Sequence, residues 1–366
     1  MNVGILTQHF GTNYGGTLQC LALQTAVEAL GHEVDVIDYR PYPRVLPLWR
    51  GWRLGSKKLA YVYPRLLQLR YGRQSLQTFD RFRSQHMRFS MEVKSLAGLR
   101  QIAPCYDAII TGSDQVWNFR GPDAYFLPLG SAYTGRKIAY AACCSQESQP
   151  MDRSRQVGEW IRDYDAISVR DAFSKSAVEY SSGRTPSVVC DPTMLMDAAW
   201  LADRNEDACH AVILIYRLGE PMSGDYSGFI RLLQSRLKNP RIKAIVAAAS
   251  NPIRCPEADD VRYDASPYEW MASLRTSCFL VTDSYHGVLF ALKYSVPFVA
   301  YYTEPGRAPR LLDLKERFAL GNRIVGNARE ATSVMESCLA PPTINETGAV
   351  EWIGSSRLFL RTALAS

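Results

Sequence analysis

The chain has 366 residues, of which 47% are hydrophobic and 21% charged, a balance typical of a globular protein long enough for two domains. No run approaches 18 uninterrupted apolar residues and no basic leader precedes the first strand, so neither a membrane-spanning helix nor a secretory signal is predicted. The modest net charge of +6 and nine cysteines without a CxxC pair lead us to expect no nucleic-acid partner, no metal site and a cytoplasmic location.

The chain begins with a predicted strand, loop, helix and second strand. Residues 2–6 are an apolar strand, residues 18–29 carry apolar side chains at helical spacing, and residues 33–38 form the next strand. Polar residues and two glycines fill the loop, although the GxGxxG fingerprint is absent and loop glycines also serve tight turns. The loop residues predicted to contact a substrate are Asn13, Tyr14, Gly15 and Gly16.

Residues 45–90 form a strongly basic insertion. They include ten basic residues and one acidic residue, with tryptophan, tyrosine and leucine between the charges. This pattern fits an interfacial helix on an anionic membrane or a groove for an anionic acceptor. An inserted helical hairpin with a merely solvated basic face fits equally well. Attachment to the inner face of a membrane therefore stays open.

Polar side chains follow further predicted strands in the first half of the chain. Ser113, Asp114 and Gln115 follow the strand at residues 106–110. Arg170 and Asp171 end a later strand, and an Asp-Pro-Thr turn at residues 191–193 follows the last one. Because parallel strands present their carboxyl ends on one edge, we expect these groups to gather there.

The second half, from residue 201, repeats the alternation of strands and helices. Its central stretch is a buried strand at residues 278–281, a polar turn and a helix that starts near Gly287. His286 falls at the positive end of that helix, which disfavours an imidazolium ion unless an anion is near. The ordinary alternative is a helix cap beside a half-buried histidine. Arg307 and Arg310 follow, and the C-terminal helices could cross back to the first domain, residues 1–200.

Taken together, these stretches resemble the polysaccharide pyruvyl transferase family, from residue 2 to about 323. The resemblance implies two Rossmann-like domains in a GT-B-like arrangement. It also implies transfer of pyruvate from phosphoenolpyruvate to a sugar as a ketal, with no further cofactor. The matching motifs include Asn13-Tyr14-Gly15, Gly112-Ser-Asp-Gln-Val-Trp-Asn118, Ser168-Val-Arg-Asp171, Asp191-Pro-Thr193 and Thr282-Asp-Ser-Tyr-His-Gly287.

The resemblance also implies roles for residues. His286 would act as the acid or base, and Arg170 would hold the phosphate or carboxylate of the donor. Ser284 stands where several family members have a basic residue, so which cation holds which anionic group stays open. The remaining predicted substrate contacts are Ser113, Asp114, Gln115, Asp171, Ser284, Tyr285, Gly287, Arg307 and Arg310.

Two other functions share this architecture. One is a GT-B glycosyltransferase that uses a nucleotide sugar, and the other is a non-catalytic family member acting as a scaffold. For the preferred function, the expected acceptor is a sugar of a cell-surface polysaccharide or its lipid-linked precursor. The acceptor hydroxyls, the ketal stereochemistry and the oligomeric state are not specified by the sequence.

Overall fold

The computed structural model describes residues 1–41, 58–144, 151–196, 212–249, 253–303, 308–343 and 346–365. In these ranges the chain forms two lobes, each built on one sheet of parallel strands. The predicted α/β class with two Rossmann-like lobes is confirmed. The predicted domain boundary, between residues 200 and 201, lies outside the described residues.

The first lobe contains a seven-stranded sheet in the order β2-β1-β3-β5-β6-β7, with β4 also paired to β5. Its strands are β1 (Asn2–Leu6), β2 (Glu33–Val36), β3 (Ala108–Thr111), β4 (Asp114–Trp117), β5 (Arg136–Cys144), β6 (Ala166–Val169) and β7 (Ser187–Val188). Its helices are α1 (Tyr14–Glu28), α2 (Lys58–His86), α3 (Leu96–Ile102), α4 (Met151–Arg162) and α5 (Ala172–Ser182).

The second lobe contains a six-stranded sheet in the order β10-β9-β8-β11-β12-β13. Its strands are β8 (Val212–Tyr216), β9 (Arg241–Ile245), β10 (Asp260–Arg262), β11 (Phe279–Thr282), β12 (Phe298–Tyr301) and β13 (Ile324–Val325). Its helices are α6 (Tyr226–Arg236), α7 (Pro267–Arg275), α8 (Tyr285–Lys293), α9 (Ala308–Arg317), α10 (Ala328–Cys338) and α11 (Glu346–Ala365).

The central strands of both sheets are buried on both faces, which explains their continuous apolar sequence. All four residues of β3, β11 and β12 are buried. Parallel sheets covered by helices on both sides require such runs. The strands themselves are covered, so a ligand can be bound only by the polar residues that follow them at the carboxyl edge of each sheet.

Helix α2, which occupies most of the basic insertion, ties the two lobes together. Gln68 donates a hydrogen bond to the carbonyl of Ala249 (3.1 Å), and the ring of Tyr71 stacks on Tyr263 with centroids 4.5 Å apart. The two partners belong to the second lobe. Residues 45–57 of the predicted insertion lie outside the described part of the chain.

The C-terminal helix α11 returns to the first lobe, as expected from the sequence. The hydroxyl of Ser356 accepts a hydrogen bond from the backbone N–H of Cys190 (2.9 Å). The indole of Trp352 donates to the carbonyl of Val188 (3.4 Å) and contacts Phe318 of the second lobe. This helix therefore joins the lobes on the flank opposite α2, where β7 and β13 are the edge strands.

Candidate functional site

The two sheets face each other at the points where their strand order reverses. In the first sheet the reversal lies between β1 and β3, and in the second it lies between β8 and β11. Crevices at such points are where open α/β sheets bind ligands. The two crevices meet, because Gly15 of the first lobe lies directly against the imidazole of His286 of the second.

Gly15 provides the space that His286 occupies. A Cβ atom added at Gly15 would lie 2.0 Å from Nδ1 of His286. Gly15 and Gly16 belong to the first turn of α1 rather than to the predicted loop, and Asn13 caps that helix by accepting from the N–H of Gly16 (3.1 Å). The close approach of backbone to imidazole explains a glycine at this helical position.

Arg170 lies at the centre of a buried cluster of charges. Its Nη1 donates to Oδ2 of Asp191 (2.8 Å) and its Nη2 donates to Oδ1 of Asp114 (3.3 Å). The guanidinium carbon lies 4.3 Å from the centre of the Tyr285 ring, so a tyrosine of the second lobe covers an arginine of the first. The side chain of Arg170 is fully buried, which leaves it no contact with solvent.

Asp191 brings His286 into the same cluster. Nε2 of His286 lies 3.4 Å from Oδ2 of Asp191, the oxygen that also faces Arg170. This distance is that of an ion pair, but the ring does not meet the geometry of a hydrogen bond at this nitrogen. Burial alone would raise the pKa of the Asp191 carboxyl; the charges of His286 and Arg170 outweigh burial and lower it.

Arg310 supplies a third positive charge. Burial opposes ionisation of Asp114, yet Arg170, His286 and Arg310 together lower the pKa of that carboxyl. Arg310 is half-buried on α9 and has no ion pair or side-chain hydrogen bond with any described residue. The site thus contains a guanidinium that is partly removed from water without a described counterion in direct contact.

Three side-chain nitrogens of the site lack a hydrogen-bond partner in the described structure. They are buried, which makes an unsatisfied donor costly. Orphaned donors of this kind are expected where an anionic ligand completes the hydrogen bonding. The atoms are Nε of Arg170, Nε2 of His286 and Nε of Arg310.

The segment that leads into β4, including its first residue, has an unusual backbone conformation. Asp114 has a φ of +70°, which a residue other than glycine adopts only at a cost. Gly112 has a φ of +113°, and a Cβ there would lie 2.1 Å from the carbonyl oxygen of Tyr140. Such conformations concentrate at functional sites, where the surrounding structure compensates the strain. The result is that Asp114 meets Arg170.

Several predicted site residues use their polar groups within the fold. The ring of Tyr14 stacks on Trp270 with centroids 5.5 Å apart, and its hydroxyl donates to the carbonyl of Ala265 (2.8 Å). Asp171 caps α5 by accepting from Ser174 (2.7 Å), and Ser284 caps α8. These contacts join the lobes or cap the N-termini of helices. A capping role is the alternative to substrate binding that the sequence analysis left open for the turn before α8.

The other predicted residues lie around the same point. Ser113 donates to Gln19 (2.9 Å) and lies 3.4 Å from Asp191, whereas the carbonyl of Gln115 accepts a hydrogen bond from Gln8 (3.3 Å). A Cβ at Gly287 would lie 2.7 Å from Oγ1 of Thr282, so this glycine permits the tight start of α8. Arg307 lies outside the described residues.

Asp191 is the site residue that the sequence reasoning did not select. Its Asp-Pro-Thr turn was recognised after a strand, and its side chain was not assigned a role. The turn also explains its orientation, because Oδ1 accepts from both the N–H (3.0 Å) and the hydroxyl (2.8 Å) of Thr193. A buried carboxylate that faces Arg170 and His286 becomes evident only when the lobes are brought together.

Solved structures similar to this chain define its fold. The chain is similar to a UDP-bound MnaA from S. aureus (12% identity, TM-score 0.56), and the alignment covers 100% of this chain and 98% of the MnaA chain. The UDP-GlcNAc 2-epimerase of Neisseria meningitidis (11%, 0.54) covers both chains fully, and Anabaena HepE with UDP and glucose (13%, 0.52) covers 99% of this chain and 95% of its own. The chain thus has the two-lobed GT-B fold.

The sequence identifies the family of the chain among proteins with this fold. The polysaccharide pyruvyl transferase family model matches residues 13–305, and the chain belongs to this family. The match includes the strand ends that carry Arg170, Asp191 and His286. No curated protein is similar enough in sequence to be matched.

Proposed function

We propose that this protein transfers pyruvate from phosphoenolpyruvate to a sugar as a ketal. The observation that supports this most strongly is the group of three side-chain nitrogens without hydrogen-bond partners at the junction of the lobes. Phosphoenolpyruvate carries a phosphate and a carboxylate on a three-carbon unit. Guanidinium and imidazole donors in a buried site match both groups.

The reaction requires proton transfer at two points. A sugar hydroxyl adds to C2 of the donor while C3 takes a proton from the imidazolium of His286 and becomes a methyl group. The hydroxyl proton passes to a base, the bond between C2 and the phosphate oxygen breaks, and a second hydroxyl of the same sugar closes the ketal. His286, neutral after the first transfer, can accept the second hydroxyl proton. The reaction needs no cofactor besides the donor.

The contacts of each cation suggest how the donor is held. Each Nη atom of Arg170 already donates to a carboxylate, whereas its Nε has no partner, so we assign Nε to the donor. Arg310 has no such partners among the described residues, and we assign it the phosphate. The side chain of Asp114 is 13% exposed, and we assign it, with Asn13 and Gln115, to the sugar hydroxyls.

A feature of the second lobe disfavours a nucleotide-sugar donor. The carboxylate of Asp283 accepts hydrogen bonds from the backbone N–H groups of Leu218 (2.6 Å) and Gly219 (2.8 Å), directly after β8. Backbone N–H groups at such a reversal point commonly bind a diphosphate. Here an internal anion occupies them, so a second anion would be repelled.

The proposal is tested by following the pyruvyl group. The protein is incubated with isotopically labelled phosphoenolpyruvate and candidate lipid-linked sugars, and the products are analysed by mass spectrometry. We expect a sugar that carries the labelled three-carbon ketal and an equal amount of free phosphate. Transfer of a sugar from a nucleotide sugar, with none from phosphoenolpyruvate, would support the glycosyltransferase alternative instead.

Replacing Gly15 with alanine tests the close approach of the lobes. The added methyl group collides with His286, which should cost about 1–3 kcal/mol of unfolding free energy. Displacement of the imidazole by about 1 Å should lower pyruvyl transfer about 10²-fold. Gly354→Ala, in α11 with no atom within 4 Å of the new Cβ, is the matched control and should be neutral or stabilising. Equal behaviour of the two variants in denaturant titration and in turnover would contradict this assignment.

We also propose that the solvent face of α2 binds an anionic membrane surface, where a lipid-linked acceptor would lie. None of the helices in the described ranges is both long and apolar enough to cross a membrane. Leu66 and Leu69 are 56% and 60% exposed, and they lie beside the exposed residues Arg70 and Arg73. Exposed leucines among arginines suit the boundary between head groups and acyl chains.

Sedimentation with vesicles tests this surface. We expect binding to vesicles containing anionic lipid at low salt, and weaker binding as salt increases. The double variant Leu66→Ser, Arg70→Gln should lose most of this binding. The matched control is a pair on α6, Arg231→Gln with Leu232→Ser, which also combines an exposed arginine with an exposed leucine. No binding by the unmodified protein would exclude the proposal.

A further inference from the structure

We propose that Asp191 is the positioning residue that holds His286 beside Arg170 and places a negative charge next to its ring during proton transfer. This inference rests on the proposed function and extends it to a residue that does not touch the donor. One carboxylate oxygen, Oδ2, faces Nη1 of Arg170 at 2.8 Å and Nε2 of His286 at 3.4 Å. The first contact lies within the first lobe, and the second crosses to the other lobe.

Hydrogen bonds within the protein fix the orientation of the carboxylate. Asp191 is fully buried, and its Oδ1 accepts two hydrogen bonds from Thr193, which leaves Oδ2 directed at the site. Ser113 adds a third neighbour of Oδ2 at 3.4 Å. A carboxylate that served only to begin the turn at residues 192–194 would not need Oδ2 to face two cations.

His286 needs a fixed anion because of its place in the fold. It is the second residue of α8, where the helix dipole disfavours a positive ring. The other charged or titratable groups of the same cluster are Arg170 and Asp114 from the first lobe and Tyr285 and Arg310 from the second. Among the described residues, Asp191 is the carboxylate within ion-pair distance of the ring. Its negative charge offsets the unfavourable effect of the helix dipole and of the positive charge of Arg170 on an imidazolium ion.

The pH dependence of turnover tests this role with two variants of opposite effect. Asp191→Asn removes the charge, so we expect kcat to fall about 10²-fold and its alkaline limb to move to lower pH. KM for phosphoenolpyruvate should stay the same or decrease, since a negative charge facing the anionic donor is gone. Thr193→Val keeps the carboxylate but removes the hydroxyl bond to Oδ1. The anion is then less stabilised by hydrogen bonding, and the alkaline limb should move to higher pH by a smaller amount.

Asp38→Asn is the matched control. Asp38 also joins a histidine and an arginine, with Nε2 of His9 at 2.9 Å and Nε of Arg40 at 2.6 Å, and it lies outside the site. Its variant should lose stability without moving the alkaline limb. If Asp191→Asn and Thr193→Val leave the limb in place while the unmodified protein transfers pyruvate, Asp191 has only a structural role. If the unmodified protein transfers none, the proposed function fails instead. Should Asp191→Asn not fold, Thr193→Val alone decides the outcome.

Discussion

Replacing His286 with alanine is expected to lower pyruvyl transfer about 10²–10⁴-fold, the usual contribution of a positioned general acid or base. The imidazole lies between Gly15 and Asp191 at the junction of the lobes, where we propose that the donor binds. The fold should persist, because Nε2 of the ring makes no hydrogen bond with the described residues. Initial rates with labelled phosphoenolpyruvate and circular dichroism would measure the two effects.

The control for this variant is His32→Ala. His32 is half-buried in the turn before β2 and has no part in the proposed site. Its replacement should leave transfer within about twofold, as expected for a surface substitution. Ketal formation by His286→Ala at the rate of the unmodified protein would remove the role assigned to this histidine.

Arg170→Ala should produce the largest loss of stability of any single variant considered. It leaves Asp114 and Asp191 buried without their main positive partner, and breaking a buried ion pair this way costs about 3–5 kcal/mol. Transfer should also be lost, because Asp114 and Asp191 would lose their common partner and Asp191 is the carboxylate that faces His286. Urea denaturation at pH 7 measures the expected decrease in unfolding free energy.

The cost of Arg170→Ala should depend on pH in a defined direction. The pKa values of Asp114 and Asp191 are lowered in the folded protein by their cationic neighbours, despite burial. The stability they contribute is therefore present above the unfolded pKa of about 4 and is lost as the pH falls below it. The variant lacks much of this contribution, so its deficit should be largest near pH 7 and smaller near about pH 3.

Arg323→Ala is the control for this pH dependence. Arg323 is also buried, but it donates to backbone carbonyls, including those of Cys338 (2.9 Å) and Ala340 (2.8 Å), which do not titrate. Its cost should be nearly the same at both pH values. A deficit for Arg170→Ala that is equal at about pH 3 and pH 7 would contradict the ionised state of the two carboxylates.

The sequence predicts the architecture and the edge on which the site lies. Apolar runs such as residues 279–282 identify buried parallel strands, and the polar residues after them must gather at one edge. This reasoning identified both Arg170 and His286, which the structure brings to the same oxygen of Asp191. Local patterns suffice here because strand ends and helix starts are local features.

Contacts between distant segments could not be predicted in the same way. The sequence of the basic insertion predicts a surface helix. In the structure, α2 instead joins the lobes through contacts such as that of Gln68 with Ala249, 181 residues apart. Tyr14 is predicted from the sequence to be a loop residue that faces a cleft, but its ring packs on Trp270 of the other lobe. Each depends on how the two lobes meet, which no periodicity in a single segment specifies.

Thermal unfolding with candidate donors tests the central claim most directly. The site is proposed to bind a small dianion through Arg310 and the orphaned nitrogens of Arg170 and His286. We predict that phosphoenolpyruvate raises the unfolding temperature in a concentration-dependent manner, and that Arg310→Gln loses most of this protection while Arg231→Gln keeps it. UDP-sugars should have no effect. Protection by a UDP-sugar but not by phosphoenolpyruvate would contradict the account.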